Sequence, residues 1–414
     1  MLTNIKNPPE KTANEICTPE ELWEQMAACD AFFRDHAAEN ESLGRLTPAV
    51  IDLLEAHKIH LMLVPRALGG MAFSPVEAMR VIEQISWSDA STGWVAMVIS
   101  CGTAMAAGFL PDAGVAALFG ADGPSIICGS GAPTGRATRV EGGYRVSGRW
   151  SFGSAIQHAH WHHSGAMLFE DGKPKLDDDG APVMMVIHAP TASLRFEGNW
   201  DTLGLRATGS IDYSEEGVFV PDALMFLLKD AVPKRNKALY GIGAIGLTSI
   251  GHSAWAAGVG RRILDEIATI AREKKAPAMK TSTKALFDSE AFWEGYGAAE
   301  GRVRSANAFL YETWAMVERR IAAHEPLSTR DMTLVRLALN TTTTAAAEAA
   351  DFAFRAGAGA SLRNSSLQRV FRDIYTGKQH ITVSPGVLRN CGRELAGLAE
   401  EKVWALYELA DAPK

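Results

Sequence analysis

The sequence predicts an α+β fold in three consecutive parts: a helical domain, a β domain and a second helical domain. Apolar residues recur at three and four from Thr18 to about Leu118, and alternate in short Gly- and Pro-broken runs from about Gly120 to Leu228. Helical spacing then returns to the end of the chain, so the boundaries fall at 1–120, 121–228 and 229–414.

In the first part, "PEELWEQMAACDAFFRDHA", "LTPAVIDLLEAHKIHLM" and "PVEAMRVIEQISWSDASTGWVAMVIS" read as helices. Thr18, Thr47 and Ser74 each precede a proline and a periodic run, the pattern of a cap followed by a first-turn proline. The middle part has an "EGG" turn and the alternating runs "APVMMVIHA", "SLRFEGNW" and "EEGVFVPDAL". The last part reads as helix to its end, including "GVLRNCGRELAGLAEEKVWALYELA". Its Ala-rich content suits closely packed bundle helices.

With 414 residues, 47% hydrophobic and 21% charged, the chain is long enough for more than one core. A net charge of -7 leaves no basic footprint, so nucleic acid is not an expected partner. The N-terminus has no apolar core of signal type, and no eighteen-residue apolar run free of Gly and polar breaks follows. A cytoplasmic protein without a membrane partner is expected. Cys17, Cys29, Cys101, Cys128 and Cys391 are far apart, without a CxxC pair, and read as reduced thiols.

The stretch "SAIQHAHWHHSGA" places His158, His160 and His162 two apart, which on a strand points three imidazoles to one face. Side chains stacked along one strand diverge, and a cation usually needs a ligand from elsewhere as well. No metal is expected.

Four stretches carry a family resemblance: "VPRALGGMAFSPVEAMRVIEQISWSDASTGWV", "GSGAPTGRATRVEGGYRVSGRWSFGSAIQHAHW", "WDTLGLRATGSIDYSEEGVFVP" and "RVFRDIYTGKQHITVS". Together they resemble the acyl-CoA dehydrogenase fold, and within it the two-component (group D) flavin-dependent monooxygenases. The resemblance implies an N-terminal helical domain, a central β-barrel domain and a C-terminal four-helix bundle packed into homotetramers. It also implies an oxygenase that takes reduced flavin (FADH2 or FMNH2) from a separate NAD(P)H-dependent reductase. With O2, through a C4a-hydroperoxide, it would hydroxylate a small aromatic such as an indole or a phenol.

The residues fit that chemistry. "GSGAPTG" offers Ser130, Pro133 and Thr134 on a loop whose backbone N–H groups can approach a planar ring edge, or else a plain turn. Trp150 and Phe152 are aromatics that flank the cofactor or pack the core, and Ser154 is carried over as the partner of flavin N5. An acyl-CoA dehydrogenase needs a carboxylate base near the C-terminus, and "FRDIYTGKQHITVSPG" lacks the Glu that the family usually places there. His380 instead stands where the monooxygenase branch has a histidine over the flavin ring, able to supply a proton to the oxygen reaction.

Arg369, Arg372 and Asp373 could hold flavin phosphate or a ribityl hydroxyl, or pair among themselves, and Arg272 lies where the family often has a cation on cofactor phosphate. The resemblance places Arg206, Thr208 and Ser210 beside the reacting ring. Trp94, Cys101 and Thr103 are then the candidate substrate residues, among small apolar side chains such as Ala96, Met97, Ile99, Ala104 and Met105. The histidine that phenol hydroxylases tend to carry in the helix after "TGW" is missing here. The alternatives are a flavin dehydrogenase or oxidase acting on a thioester or nitro compound, and a metal-binding helical protein.

Overall fold

Hydroxyl and proline pairs stand where three of the N-terminal helices begin. The computed structural model describes residues 17–120, 124–229, 231–273 and 290–412. The first helices are α1 (Pro19–Ala28), α2 (Asp30–Leu43), α3 (Pro48–Ala56), α4 (Pro75–Ser88), α5 (Ala90–Phe109) and α6 (Asp112–Leu118). Thr18 and Ser74 form full capping boxes with Glu21 and Glu77. Thr47 takes the extended cap conformation, but its hydroxyl makes no cap bond; instead its amide donates to Asn40 Oδ1 at 2.8 Å.

On α5 every residue except Val98 is buried. An all-round apolar helix needs a wholly apolar setting, a bilayer or a core. Among the described residues α5 is the one helix long and apolar enough to span a membrane, and the protein itself buries 94% of its most apolar window.

The strands of the middle part are β1 (Ile127–Val140), β2 (Gly143–Gly153), β3 (Trp161–Glu170), β4 (Lys173–Pro174), β5 (Met184–Pro190), β6 (Arg195–Phe196), β7 (Ile211–Pro221) and β8 (Met225–Leu227). They form one sheet in the order β6-β7-β2-β1-β3-β5-β8, with β4 on β3. Gly142, at φ +73°, closes the β1–β2 turn. All pairs are antiparallel except β1 with β3, which run parallel and slip register between Ser130 and Gly135. The "GSGAPTG" segment is therefore a bulged excursion inside a long strand, where Pro133 has no N–H to give the ladder. A second irregularity, between Trp150 and Gly153 of β2, turns the end of that strand towards α5.

The last part holds α7 (Lys237–Tyr240), α8 (Gly243–Glu273), α9 (Glu290–Ala322), α10 (Thr329–Gly357), α11 (Gly359–Leu362), α12 (Ser366–Gly377) and α13 (Pro385–Leu395). α10 packs on α8, α9, α12 and α13, while α8 also lies along α4 and α5. The expectation of helix to the C-terminus is corrected. After Gly397, at φ +74°, the chain pairs β9 (Lys402–Ala405) with β10 (Glu408–Asp411) as a hairpin. Contacts across the fold decide this: the Arg336 guanidinium lies over the Trp404 ring, Trp404 Nε1 donates to Thr333, and Arg336 also donates to the Leu406 carbonyl.

Glycines let α8 approach so closely. A Cβ on Gly258 would stand 2.4 Å from the Glu83 carbonyl oxygen and 3.0 Å from the Trp87 nitrogen, both backbone atoms of α4. Gly258→Ala should therefore destabilise the protein by about 1–3 kcal/mol. Gly301→Ala, at a helical position where no atom of the described residues lies within 4 Å of the added carbon, should be neutral or stabilise by up to about 1 kcal/mol. Thermal unfolding of the two variants beside the wild type checks the contrast.

Candidate functional site

Four residues with left-handed backbone bracket one junction: Phe152 (φ +64°), Ala155 (+60°), Leu205 (+52°) and Gly209 (+55°). For the three that are not glycine this conformation costs energy, and such strain collects at functional sites. Here the end of β2 meets the loop before β7, and their backbones join through the Ala155 amide and the Thr208 carbonyl at 2.9 Å.

The strained turns bring Ser154, Thr208 and Ser210 into one hydrogen-bonded chain. Thr208 Oγ1 donates to the Leu205 carbonyl at 2.7 Å, so it must accept from Ser210 Oγ at 2.6 Å. Ser210 in turn accepts from Ser154 Oγ, also at 2.6 Å, and Ser154 accepts from Trp94 Nε1 at 3.2 Å. Every hydroxyl then points the same way, each bond polarising the next, and Ser154 Oγ keeps one lone pair unused. The far end is anchored as well. The Leu205 amide donates to Asp373 Oδ1 at 2.6 Å, and Trp200 Nε1 to the Leu205 carbonyl at 3.0 Å.

Trp94 joins this chain to a cluster of rings. Its indole meets His252 and Trp255 edge-on, both at 5.1 Å, and His380 at 5.8 Å. The two imidazoles lie 4.1 Å apart between centroids and are tilted by 35°. His380 caps the short turn Ile381–Val383: Thr382 N–H donates to its Nδ1 at 3.4 Å, and Thr382 Oγ1 stands 2.9 Å from the same nitrogen. With Nδ1 accepting, the proton of the neutral ring sits on Nε2. Burial pushes His380 down to about 4, so at neutral pH the ring is uncharged and presents an N–H donor.

Asp373 holds the loop from α12. Burial and the neighbouring Asp89 carboxylate push it up to about 7 against the Leu205 bond, and its Oδ2 has no partner among the described residues. Asp89 itself caps α5 through Thr92 N and Oγ1.

The other sequence candidates take varied places. Thr103 accepts from the Ile127 amide at 3.2 Å and Cys101 Sγ donates to the Leu247 carbonyl at 3.3 Å, so both fasten α5 to its neighbours. Trp150 is fully buried, stacked on Tyr213 with Nε1 on the Gly165 carbonyl, whereas Phe152 is 70% exposed and meets Trp200 edge-on. The Ser130 amide donates to Tyr213, and Thr134 Oγ1 to the Arg149 carbonyl.

Arg206 pairs with Asp201. Arg369 and Arg372 both pair with Glu41 on α2. Burial acts to raise the Glu41 carboxyl, and the two guanidinium groups outweigh it. Arg272 is exposed near the end of α8, on Thr269, apart from the ring cluster.

The His-rich stretch does not form one strand face. His158 ends a 3-10 turn, His160 precedes β3 and accepts from the Ile126 amide, and only His162 and His163 lie in the sheet. Among the described residues no three His, Cys, Asp or Glu side chains gather to hold a metal. His252 escaped the reading of the sequence, although a histidine one turn before Trp255 in the apolar run "GHSAWAAG" was the available signal. A cleft of about 800 Å3 between α1, α4 and α8, lined by Trp23, Glu83, Trp87 and Asp265, shares no residue with this group.

Residues 250–385 match the family model described as acyl-CoA dehydrogenase, C-terminal domain. The chain is 28% identical to the indole-3-acetate monooxygenase of Pseudomonas putida, over 88% of this chain and 91% of that protein. It is 30% identical to the oxygenase component of the FADH(2)-dependent resorcinol hydroxylase of Rhizobium sp. (strain MTP-10005), over 50% of this chain and 49% of that one. The fold matches that of XiaF from Streptomyces sp., solved with FADH2 and glycerol, with a TM-score of 0.82 at 23% identity, covering 92% of this chain and 96% of the other.

The Asp373 carboxyl gives a test of the geometry. Its pKa is raised in the fold from about 3.9 in the unfolded chain. Between about pH 4 and 7 the unfolded state therefore binds fewer protons than the native state, and stability falls as pH rises. Asp373→Asn keeps an oxygen for the Leu205 amide and should remove this fall, by at most roughly 4 kcal/mol at pH 8. Denaturant unfolding at pH 5 and pH 8 measures it.

Proposed function

Because the chain belongs to the acyl-CoA dehydrogenase-fold, two-component flavin-dependent monooxygenases, we propose that it is an oxygenase component fed with reduced flavin by a separate NAD(P)H-dependent reductase. It inserts one atom of O2 into a small aromatic or heteroaromatic molecule. The observation that carries this reading is the uncharged His380, with Nε2–H unbonded among the described residues, set across Trp94 from the Ser154 hydroxyl chain.

Reduced flavin, FMN or FAD, supplies with O2 the oxygen atom that is transferred. The chain's own groups suit it. Ser154 Oγ already donates its hydrogen bond to Ser210, and its remaining lone pair suits an N–H donor such as that at N5 of a reduced flavin ring. His380 Nε2–H suits an oxygen gaining negative charge, which a positioned donor stabilises most when little water is present. Phe152 offers an exposed ring face, and the bulged edge at Ser130, Pro133 and Thr134 lies on the adjoining strand. Arg369 and Arg372, neutralised by Glu41, fix α12 and through it Asp373. The apolar wall of α5, from Trp94 to Met105, receives the aromatic substrate.

The enzyme is expected in the cytoplasm as a homotetramer, supported by the exposed Leu388, Leu395 and Leu398 at its C-terminal end. Light scattering should give a particle near four times 44.5 kDa, and a monomer would count against the assembly.

Rapid mixing of protein and reduced flavin with oxygen tests the chemistry. His380→Ala should slow the flavin–oxygen reaction about a hundredfold, the typical loss of an acid–base group, with flavin binding retained. Ser154→Ala should raise hydrogen peroxide release about tenfold, since one hydrogen bond is worth roughly 1–1.5 kcal/mol. Unchanged coupling of oxygen use to product in both variants would remove the pair from the site.

A further inference from the structure

His252 stands at the centre of the ring cluster and takes part in none of the steps above. Close packing fixes its place: Gly251 before it has no side chain, and a Cβ there would come within 2.6 Å of Met97 Cβ, so α8 lies directly on α5. Burial and the adjoining His380 hold its pKa well below the usual value, which keeps the ring uncharged. An uncharged imidazole has one donor and one acceptor nitrogen.

Among the described residues His252 has no hydrogen-bond partner, and neither of its nitrogens is among the side-chain atoms sealed from solvent without one. Both nitrogens of His188 inside the sheet are sealed in that way. His252 therefore presents an open polar edge beside Trp94 and His380, at the level of α5 where the substrate wall begins. An unpaired polar edge in so apolar a setting is costly, and a ligand atom that pairs with it is rewarded.

The surroundings select the ligand. The Trp94 indole adjoins His252, and beside Gly251 lie the Met97 side chain and the Cys101 thiol, which burial pushes up to about 12 and so keeps uncharged. The guanidinium groups of Arg206, Arg369 and Arg372 are already paired with carboxylates. His380 contributes a donor, so the function left to fill is that of an acceptor.

We propose that His252 determines specificity by accepting a hydrogen bond from the ring N–H or O–H of an uncharged aromatic substrate held against Trp94. This rests on the monooxygenase reading and deepens it. Such a bond draws the substrate's proton outward and raises electron density in the ring, which favours attack on an electrophilic oxygen.

Indole and benzofuran have nearly the same shape, but only indole carries an N–H. Tryptophan fluorescence titration should show the wild-type protein binding indole about tenfold more tightly than benzofuran, the value of roughly one hydrogen bond. His252→Leu should bind both within about twofold, and His252→Asn, which keeps an acceptor, should restore part of the preference. The Asn variant also decides the matter where the Leu variant fails to fold. Equal binding of the two probes by the wild type, or an indole preference that survives in His252→Leu, overturns the proposal. Flavin and oxygen are absent from this titration. Failure of the wild type to speed the flavin–oxygen reaction would sink the monooxygenase reading and leave the binding result standing.

Discussion

A helix with apolar residues on every side cannot face water, and the fold is arranged so that α5 does not have to. α4 and α8 cover it along its length, and β1 closes one end through the bond from the Ile127 amide to Thr103. Trp94 sits one turn inside its start, at the level where β2, α8 and the turn after α12 converge. Covering α5 therefore brings elements from all three parts of the chain to the same indole.

What holds these parts in register is a run of hydrogen bonds. From Asp373 on α12 it passes through the Leu205 peptide, Thr208, Ser210 and Ser154 to Trp94 on α5. Each peptide or hydroxyl in the run both gives and accepts, so removing one member leaves buried groups unsatisfied on both sides. This offsets the strain of the left-handed residues beside it, and the strain in turn aims Ser154 out of the sheet towards α5.

Desolvation sets the electrical character of the site. The same burial that lowers His252 and His380 raises Asp373 and Cys101, and all four are pushed towards their uncharged forms. The charged groups of the region, Glu41 with Arg369 and Arg372, are paired with one another between α2 and α12.

Much of this was legible in the sequence because it is local. Thr18 and Ser74 before prolines mark helix starts, and the Gly142 turn marks a hairpin. Ser154, Thr208, His380 and Trp94 were recognisable through their motifs, and the structure brings them together. Other features depend on residues distant in the chain. Trp404 and Arg336 turn the C-terminal residues into a hairpin although their spacing reads as helix. Glu41 claims Arg369 and Arg372 from more than three hundred positions away, and Tyr213 takes both the Ser130 amide and the Trp150 face. His252 reads as one more residue of an apolar helix until Gly251 lets that helix touch α5 and sets the ring beside His380. Spacing along the chain determined which residues could form each element; close packing between elements decided which polar atoms were satisfied and which were left open.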